Sequence, residues 1–354
     1  MDTLIYKRLA DKLDSLPNGF PATESKVELR LLAKLFTLEE AALAASLHPD
    51  LESVETISAR SGGDPETLRK NLKDLSRKGL ITAGKVEGSL GYGLMPFVVG
   101  IYENQVSTID QELASLFEEY YRQAFGRLLN INPPIHRVIP VGEAVQNSME
   151  IRPFESTNDL VQSAGSWGVM DCICRKQKAL IGDPCDHPVD VCMILDSRPG
   201  AFDRSTVIRA VDREEAQRVL RRAAEAGLVH SVSNNQQGVH YICNCCTCSC
   251  GILRGMADLG IANVIARSAF VNQVDDALCS GCEDCVKNCQ FNALHIDGVA
   301  VVDEVRCVGC GVCVLACSTG ALGLIRRPEE LVPATPVTQQ EWREQRNISR
   351  GIYS

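Results

Sequence analysis

Near its C-terminus the chain carries one cysteine pattern twice. Cys279, Cys282, Cys285 and Cys289 read Cys-x-x-Cys-x-x-Cys-x-x-x-Cys, and Cys307, Cys310, Cys313 and Cys317 repeat that spacing 28 residues later. The repeat runs past the cysteines, since Ala293-Leu294 and Ala321-Leu322 are also 28 apart. Three thiols on one tight loop wrap the backbone round a metal centre. Gly281, Gly309 and Gly311 supply backbone angles closed to other residues. Disulfides are the competing use for 17 cysteines. However, the chain opens MDTLIYKRLADKLDSL, which mixes acidic with basic residues and lacks the apolar core of a secretory signal. Tightly spaced cysteines in a long chain without such a signal are more often metal ligands. Zinc typically takes two pairs of ligands from separated knuckles, which two four-cysteine runs fit poorly.

The spacing resembles that of bacterial ferredoxins with two cubane clusters, in which the fourth cysteine of each run ligates the other run's cluster. That resemblance implies a compact dicluster 4Fe–4S ferredoxin fold over residues 271–330 and the transfer of single electrons. It also implies two ligand sets, Cys279, Cys282, Cys285 and Cys317 for one cluster and Cys307, Cys310, Cys313 and Cys289 for the other. One departure stands out. Bacterial ferredoxins usually place a proline after the fourth cysteine, and here those positions are Gln290 and Ser318. Hydrogen bonds and exposure tune the potential of such clusters, so the departure bears on potential rather than on cluster type.

All the cysteines lie after residue 171, which divides the chain into a cysteine-free and a cysteine-rich half. The expected fold class is α+β multidomain: a winged helix-turn-helix with a long following helix over 1–130, a linker or arm over 131–156, a cysteine-rich mixed α/β domain over 157–270, the ferredoxin domain over 271–330 and a polar surface tail over 331–354. Asn132, Pro133, Pro134, Pro140 and Pro153 interrupt helical patterning in the arm. In the first half, Thr37 and Glu40 form a capping box, a short helix covers roughly 53–61, and Asp64 with Pro65 opens a helix bearing Leu68, Leu72 and Leu75. Gly79 closes that helix. A turn at Gly88–Gly91 and a return strand over Tyr92–Met95 complete a wing. The order resembles winged helix-turn-helix domains of bacterial and archaeal regulators over about residues 25–100. A further helix, capped near Ser107, carries the stripe Ile109, Leu113, Leu116, Phe117, Tyr120, Ala124 and Leu128, which serves either core packing or dimerisation.

The nine remaining cysteines are Cys172, Cys174, Cys185, Cys192, Cys243, Cys245, Cys246, Cys248 and Cys250. If 243–250 is extended, Cys243 and Cys245 share one face and Cys246, Cys248 and Cys250 the other, which calls for two sites completed by the upstream cysteines. Sulfur-rich sites favour zinc and iron–sulfur clusters, so the readings here are one or two further clusters, one cluster plus structural thiols, a zinc site beside a cluster, or a labile disulfide. His187 reads as a surface histidine that can also replace a cysteine ligand. Arg175 is placed either to offset cluster charge or in solvent. Nearby, Asp212 caps a helix with Ala216, Val219, Leu220 and Ala223 inward, followed by a hairpin about Asn234-Asn235 that echoes a second winged unit.

Together these features read as an iron–sulfur electron-transfer protein with two and up to four 4Fe–4S clusters, similar to iron–sulfur proteins of anaerobes. It would serve a partner oxidoreductase as subunit or carrier. No phosphate loop, dinucleotide fingerprint or nucleophile constellation points to an enzyme on its own. Asp275, Asp276, Glu283, Asp284, Asp303 and Glu304 give the ferredoxin segment an acidic surface suited to a basic redox partner. The alternative is a redox-responsive transcription regulator, its dimer reading DNA through Arg69, Lys70, Lys73, Arg77 and Lys78. Against DNA, residues 1–150 hold 16 Lys and Arg but 21 Asp and Glu, a net charge of −5. No run of about 18 apolar residues spans a membrane, and the expected location is cytoplasmic.

Overall fold

The computed structural model describes residues 2–145, 151–261 and 264–352. These divide into two compact units, one built mainly from residues 1–128 with 346–354, the other from 129–179 and 183–345.

In the first unit, helix Leu38–Ala45 begins with the Thr37–Glu40 capping box, both reciprocal hydrogen bonds being present at 3.3 and 3.0 Å. Helix Val54–Ser61 is capped by Ser53, and helix Pro65–Arg77 by Asp64, which accepts from the Thr67 N–H at 2.9 Å. Leu68, Leu72 and Leu75 are buried on one face. Strands Thr82–Val86 and Ser89–Gly93 pair in antiparallel fashion, and Glu52-Ser53 adds a third short strand against Tyr92 and Gly91. The hairpin turns at Glu87-Gly88, not at Gly88–Gly91. Both residues take positive φ, as a two-residue hairpin loop demands, so the return strand starts at Ser89.

The following helix is Gln111–Tyr120, capped by Asp110 rather than near Ser107. It continues through a wider π turn over Tyr121–Phe125. Its stripe packs into the unit's own core: Leu113, Phe117, Tyr120, Ala124 and Leu128 are buried, and Phe117 stacks on Tyr102 with ring centroids 3.7 Å apart. Phe20 and Phe97 extend that aromatic cluster. The apolar face is therefore consumed by packing.

The second unit centres on a six-stranded antiparallel sheet in the order His136–Val138, Val229–Ser233, Tyr241–Cys245, Cys192–Asp196, Ser166–Met170 and Arg209–Val211. Helix Arg213–Glu225, capped by Asp212, lays Ala216, Val219, Leu220 and Ala223 against Val169, Met193, Val232 and Ile242 of the sheet. The hairpin read as a second winged unit is thus the middle of this larger sheet. The segment read as a linker supplies its edge strand, and Val141 and Ala144 are buried beyond it. Residues 146–150 of that segment lie outside the described residues.

The ferredoxin segment forms two strand pairs, Phe270–Val274 with Leu322–Arg326 and Leu294–Asp297 with Val299–Val302. The 28-residue repeat holds in the backbone. Positive φ recurs at Gly281 and Gly309, at Glu283 and Gly311, and at Asn292 and Gly320. Gly309 has a second constraint, because a Cβ there would stand 2.0 Å from the Phe270 carbonyl oxygen.

The expected surface tail is instead anchored by a helix, Gln339–Ser349. Trp342 is buried in the second unit and donates to the Pro134 carbonyl at 2.9 Å. In the first unit Arg346 is fully buried and donates to the carbonyls of Pro17 and Leu128, each at 2.8 Å. Composition misled here, because the polar residues cover one face and these two side chains the other. Arg346→Ala strips the buried Leu128 carbonyl and the half-buried Pro17 carbonyl of their donor, which costs about 2–4 kcal/mol. The denaturant midpoint of the full chain, followed by far-ultraviolet circular dichroism, should fall accordingly, and Arg346→Lys should lose less.

Candidate metal centres

All seventeen cysteines are free thiols. In the ferredoxin segment, each three-cysteine loop leads into one short helix, Asp284–Asn288 or Val312–Leu315, after which the fourth cysteine follows. Cys285 and Cys313 pack in one buried cluster with Cys279, Cys289 and Cys317 against its edge. Electrostatic neighbours sort seven of the eight into two groups, which touch where Cys313 also feels Cys285. Cys285 faces Cys282 and Cys317, whereas Cys310 and Cys313 face Cys307 and Cys289. Each fourth cysteine is therefore found beside the other repeat's loop. Burial pushes the Cys310 thiol up to about 12 and raises the Cys313 thiol well above its ordinary value. Thiolates at these positions need a cation beside them.

Donors to these sulfurs are in place. The N–H groups of Ala293 and Ala300 reach Cys289 Sγ and Cys279 Sγ, each at 3.3 Å, and the buried Asn272 donates its amide to Cys313 Sγ at 3.2 Å. The environments of the two groups differ. Cys282 is exposed and Cys279 and Cys317 half-buried, whereas Cys307 and Cys313 are buried.

The nine central cysteines also divide into two groups, though not as alternation along an extended strand predicts. The strand ends at Cys245. The chain then curls, the Cys250 N–H bonding the Cys246 carbonyl at 3.1 Å, and this helical turn swings Cys250 back to the side of Cys243 and Cys245. Six thiols consequently form a closed ring in which successive members lie within hydrogen-bonding reach: Cys172, Cys174, Cys250, Cys245, Cys243 and Cys192. Sheet register explains two of them, since Met193 pairs with Ile242 and the next step brings Cys192 beside Cys243.

The second group is Cys185, His187, Cys246 and Cys248, whose ligand atoms all lie within 4.8 Å of one another. His187, read first as a surface residue, sits inside this set, half-buried. The signal was present as two pairs of the same short spacing, Cys185-x-His187 and Cys246-x-Cys248.

Arg175 stands between the groups and is 2% exposed, so the solvated reading does not hold. Its guanidinium donates to the carbonyls of Pro188 and Asn244 and to Cys246 Sγ at 3.6 Å, and its field also acts on Cys172, Cys192 and Cys245. Its buried Nε has no acceptor among the described residues. An anionic metal–sulfur group matches both the charge and that spare donor. Behind the ring, His136 bonds Tyr241 Oη and Ser231 Oγ, and burial pushes its pKa down to about 4, so it is a neutral packing residue.

Sequence reading also passed over Gln290 as a contact. Its side chain accepts from the Thr247 N–H at 2.6 Å and donates to the Gly227 carbonyl. Thr247 follows Cys246 and Gln290 follows Cys289, so this amide ties the central cysteine loop to the ferredoxin segment.

Residues 278–321 match the family model of the 4Fe-4S dicluster domain. No curated protein and no solved structure matches the chain. The matched segment holds the full repeat, and it binds 4Fe–4S clusters; the central cysteines offer donors for more. The amide of Asn272 provides a direct check on this chemistry. An N–H···S bond stabilises the reduced, more negative state, so Asn272→Leu should lower one cluster's potential by tens of millivolts, about 1 kcal/mol on a one-electron couple. Redox titration followed by electron paramagnetic resonance should show one of the two ferredoxin signals moving and the other staying.

Proposed function

We propose that this chain is an electron-transfer protein that relays single electrons between a partner oxidoreductase and its own cysteine-rich centre. The observation that carries the reading is the Gln290 bridge, which holds the loop bearing Cys246 beside the segment bearing Cys289. Bound 4Fe–4S clusters supply the one-electron chemistry. The protein supplies the order. In this assignment Cys279, Cys282, Cys285 and Cys317 form the outer ligand set, with Cys282 at the surface beside the exposed Asp275, Asp276 and Glu283. That acidic rim suits a basic redox partner. Cys307, Cys310, Cys313 and Cys289 form the inner set, and the ring of six thiols takes a further iron–sulfur cluster. The number of irons, the partner and a reducing, cytoplasmic setting belong to the proposal.

Residues 25–100 are read in the same proposal as a winged-helix unit, supported by three capped helices followed by a hairpin with a third short strand. A protein-docking role suits it better than DNA. Of the five basic residues on and just after helix Pro65–Arg77, Arg69 pairs with Glu55, Arg77 with Asp74 and Lys78 with Glu40. Most of the positive footprint that phosphates require is thus neutralised.

Anaerobically purified chain should contain about eight irons from the ferredoxin segment and roughly twelve if the ring holds one further cubane. It should exchange electrons rapidly with a low-potential reductase and show no salt-sensitive, sequence-selective duplex binding. Colourless protein without acid-labile sulfide, or selective DNA binding, would sink the reading. Gln290→Pro restores the usual ferredoxin residue and removes two hydrogen bonds of about 1 kcal/mol each. It should leave the iron content unchanged while slowing internal electron exchange by roughly tenfold, measured by rapid-freeze electron paramagnetic resonance.

A further inference from the structure

We infer that Cys185, His187, Cys246 and Cys248 form a mononuclear zinc site, chemically separate from the iron–sulfur centres. The inference does not depend on the electron-transfer reading. It starts from spacing. A tetrahedral ion with zinc–sulfur bonds of about 2.3 Å sets its sulfur ligands about 3.7 Å apart. Here all four ligand atoms fall within 4.8 Å of one another, and Cys248 Sγ lies 3.7 Å from His187 Nδ1. A cubane needs a wider set, because its four thiolates end on four different irons. Their sulfurs therefore stand apart by the iron–iron separation plus the outward spread of two bonds.

Donor chemistry points the same way. Three cysteines and one histidine are a recognised closed, structural zinc set, and zinc outranks ferrous iron at mixed nitrogen and sulfur sites. The ligands arrive as two short pairs, Cys185-x-His187 and Cys246-x-Cys248, from two segments of chain. Neither pair lies on a helix or strand at its own position, apart from the single turn after Cys245. Zinc would cross-link two such loops, which is how structural zinc contributes to folding.

The surroundings complete the site. Ser249 Oγ donates to Cys185 Sγ at 3.2 Å and lies 3.9 Å from Cys248 Sγ, and Arg175 donates to Cys246 Sγ at 3.6 Å. Such donors hold thiolates in place around a metal. Three thiolates and a neutral imidazole around Zn²⁺ leave one negative charge, and the buried Arg175 supplies one positive charge to offset it. Zinc has no accessible redox step, so the site fixes the loop that meets Gln290 without itself accepting electrons.

The test measures zinc and iron on the same anaerobically purified full-length chain and records the zinc-edge X-ray absorption. About one zinc per chain is expected, with three sulfurs near 2.3 Å and one nitrogen near 2.0–2.1 Å. Cys248→Ser should weaken zinc retention roughly tenfold or more while the iron content stays. Cys243→Ser, in the six-thiol ring, should keep the zinc. Should the serine variant fail to fold, His187→Cys provides an independent readout: it should keep the zinc and change the shell to four sulfurs. Iron and sulfide lost together with a quartet ligand in zinc-free protein would overturn the inference. So would a zinc shell without nitrogen in the unaltered chain, or a disulfide within the quartet trapped by alkylation and mass analysis.

Discussion

The two cysteine repeats each lend a strand to the other, and the rest of the metal chemistry depends on that exchange. Phe270–Val274, which leads into the first loop, pairs with Leu322–Arg326, which ends the second repeat, and Val299–Val302 pairs with Leu294–Asp297 in the converse way. The fourth cysteine of each run lies five residues before the strand that is lent. It is therefore carried to the other repeat's loop by backbone pairing. Equivalent bonds recur on both sides, such as the Asp303 N–H to the Ala293 carbonyl at 2.8 Å and the Asp275 N–H to the Ala321 carbonyl at 2.7 Å. Each half so lacks a complete ligand set until its neighbour has folded, which makes the segment cooperative. Glu283 takes positive φ where its counterpart is Gly311. The first loop thus accepts local strain that the second avoids, evidence that geometry rather than residue type is maintained.

How much could be read in the sequence follows from the range of the interactions. The ferredoxin ligands were legible because their spacing is local and repeated, so one loop conformation serves twice. The caps at Thr37, Asp64 and Asp212 were legible for the same reason, each being settled within three residues. The central cysteines were only half legible. Alternation predicts two faces correctly as far as Cys245, but a single hydrogen bond from Cys250 to Cys246 ends the extended run and moves one thiol to the opposite group. Nothing in Cys-Cys-Thr-Cys-Ser-Cys announces that bond. His187 was read first as a surface residue, with ligation second, because two of its three neighbours, Cys246 and Cys248, lie about sixty residues away on another segment.

The tail and the arm mark the opposite limit. Both are polar or proline-broken, and both are held by a few long-range contacts that composition conceals. Trp342 reaches the Pro134 carbonyl across 208 residues of sequence and Arg346 reaches Pro17 across 329. A guanidinium presents several donors in a fixed fork, so one arginine can satisfy two carbonyls that an apolar residue would leave bare. Arg175 performs the same service near the cysteines. In both places a charged side chain that reads as surface is interior because its hydrogen bonds are local to the cavity it fills.

Gln290 shows how a departure from a familiar pattern becomes informative once its contacts are known. A proline at this position would fix the backbone but offer no side-chain donor or acceptor. Glutamine offers both and uses both, accepting from Thr247 and donating to Gly227, the residue that ends the long helix of the central sheet. The second repeat carries Ser318 at the equivalent place and meets the central unit elsewhere, its Cys310 carbonyl accepting from the Val141 N–H at 2.9 Å. The asymmetry between two otherwise matching repeats is thus placed where one of them meets the central cysteine loop. An isolated ferredoxin has no use for that contact, whereas a chain that must hold its ferredoxin segment against a second thiol-rich centre does. The repeat accounts for how each cluster site is built, and Gln290 accounts for one place where the first repeat is coupled to the rest of the unit.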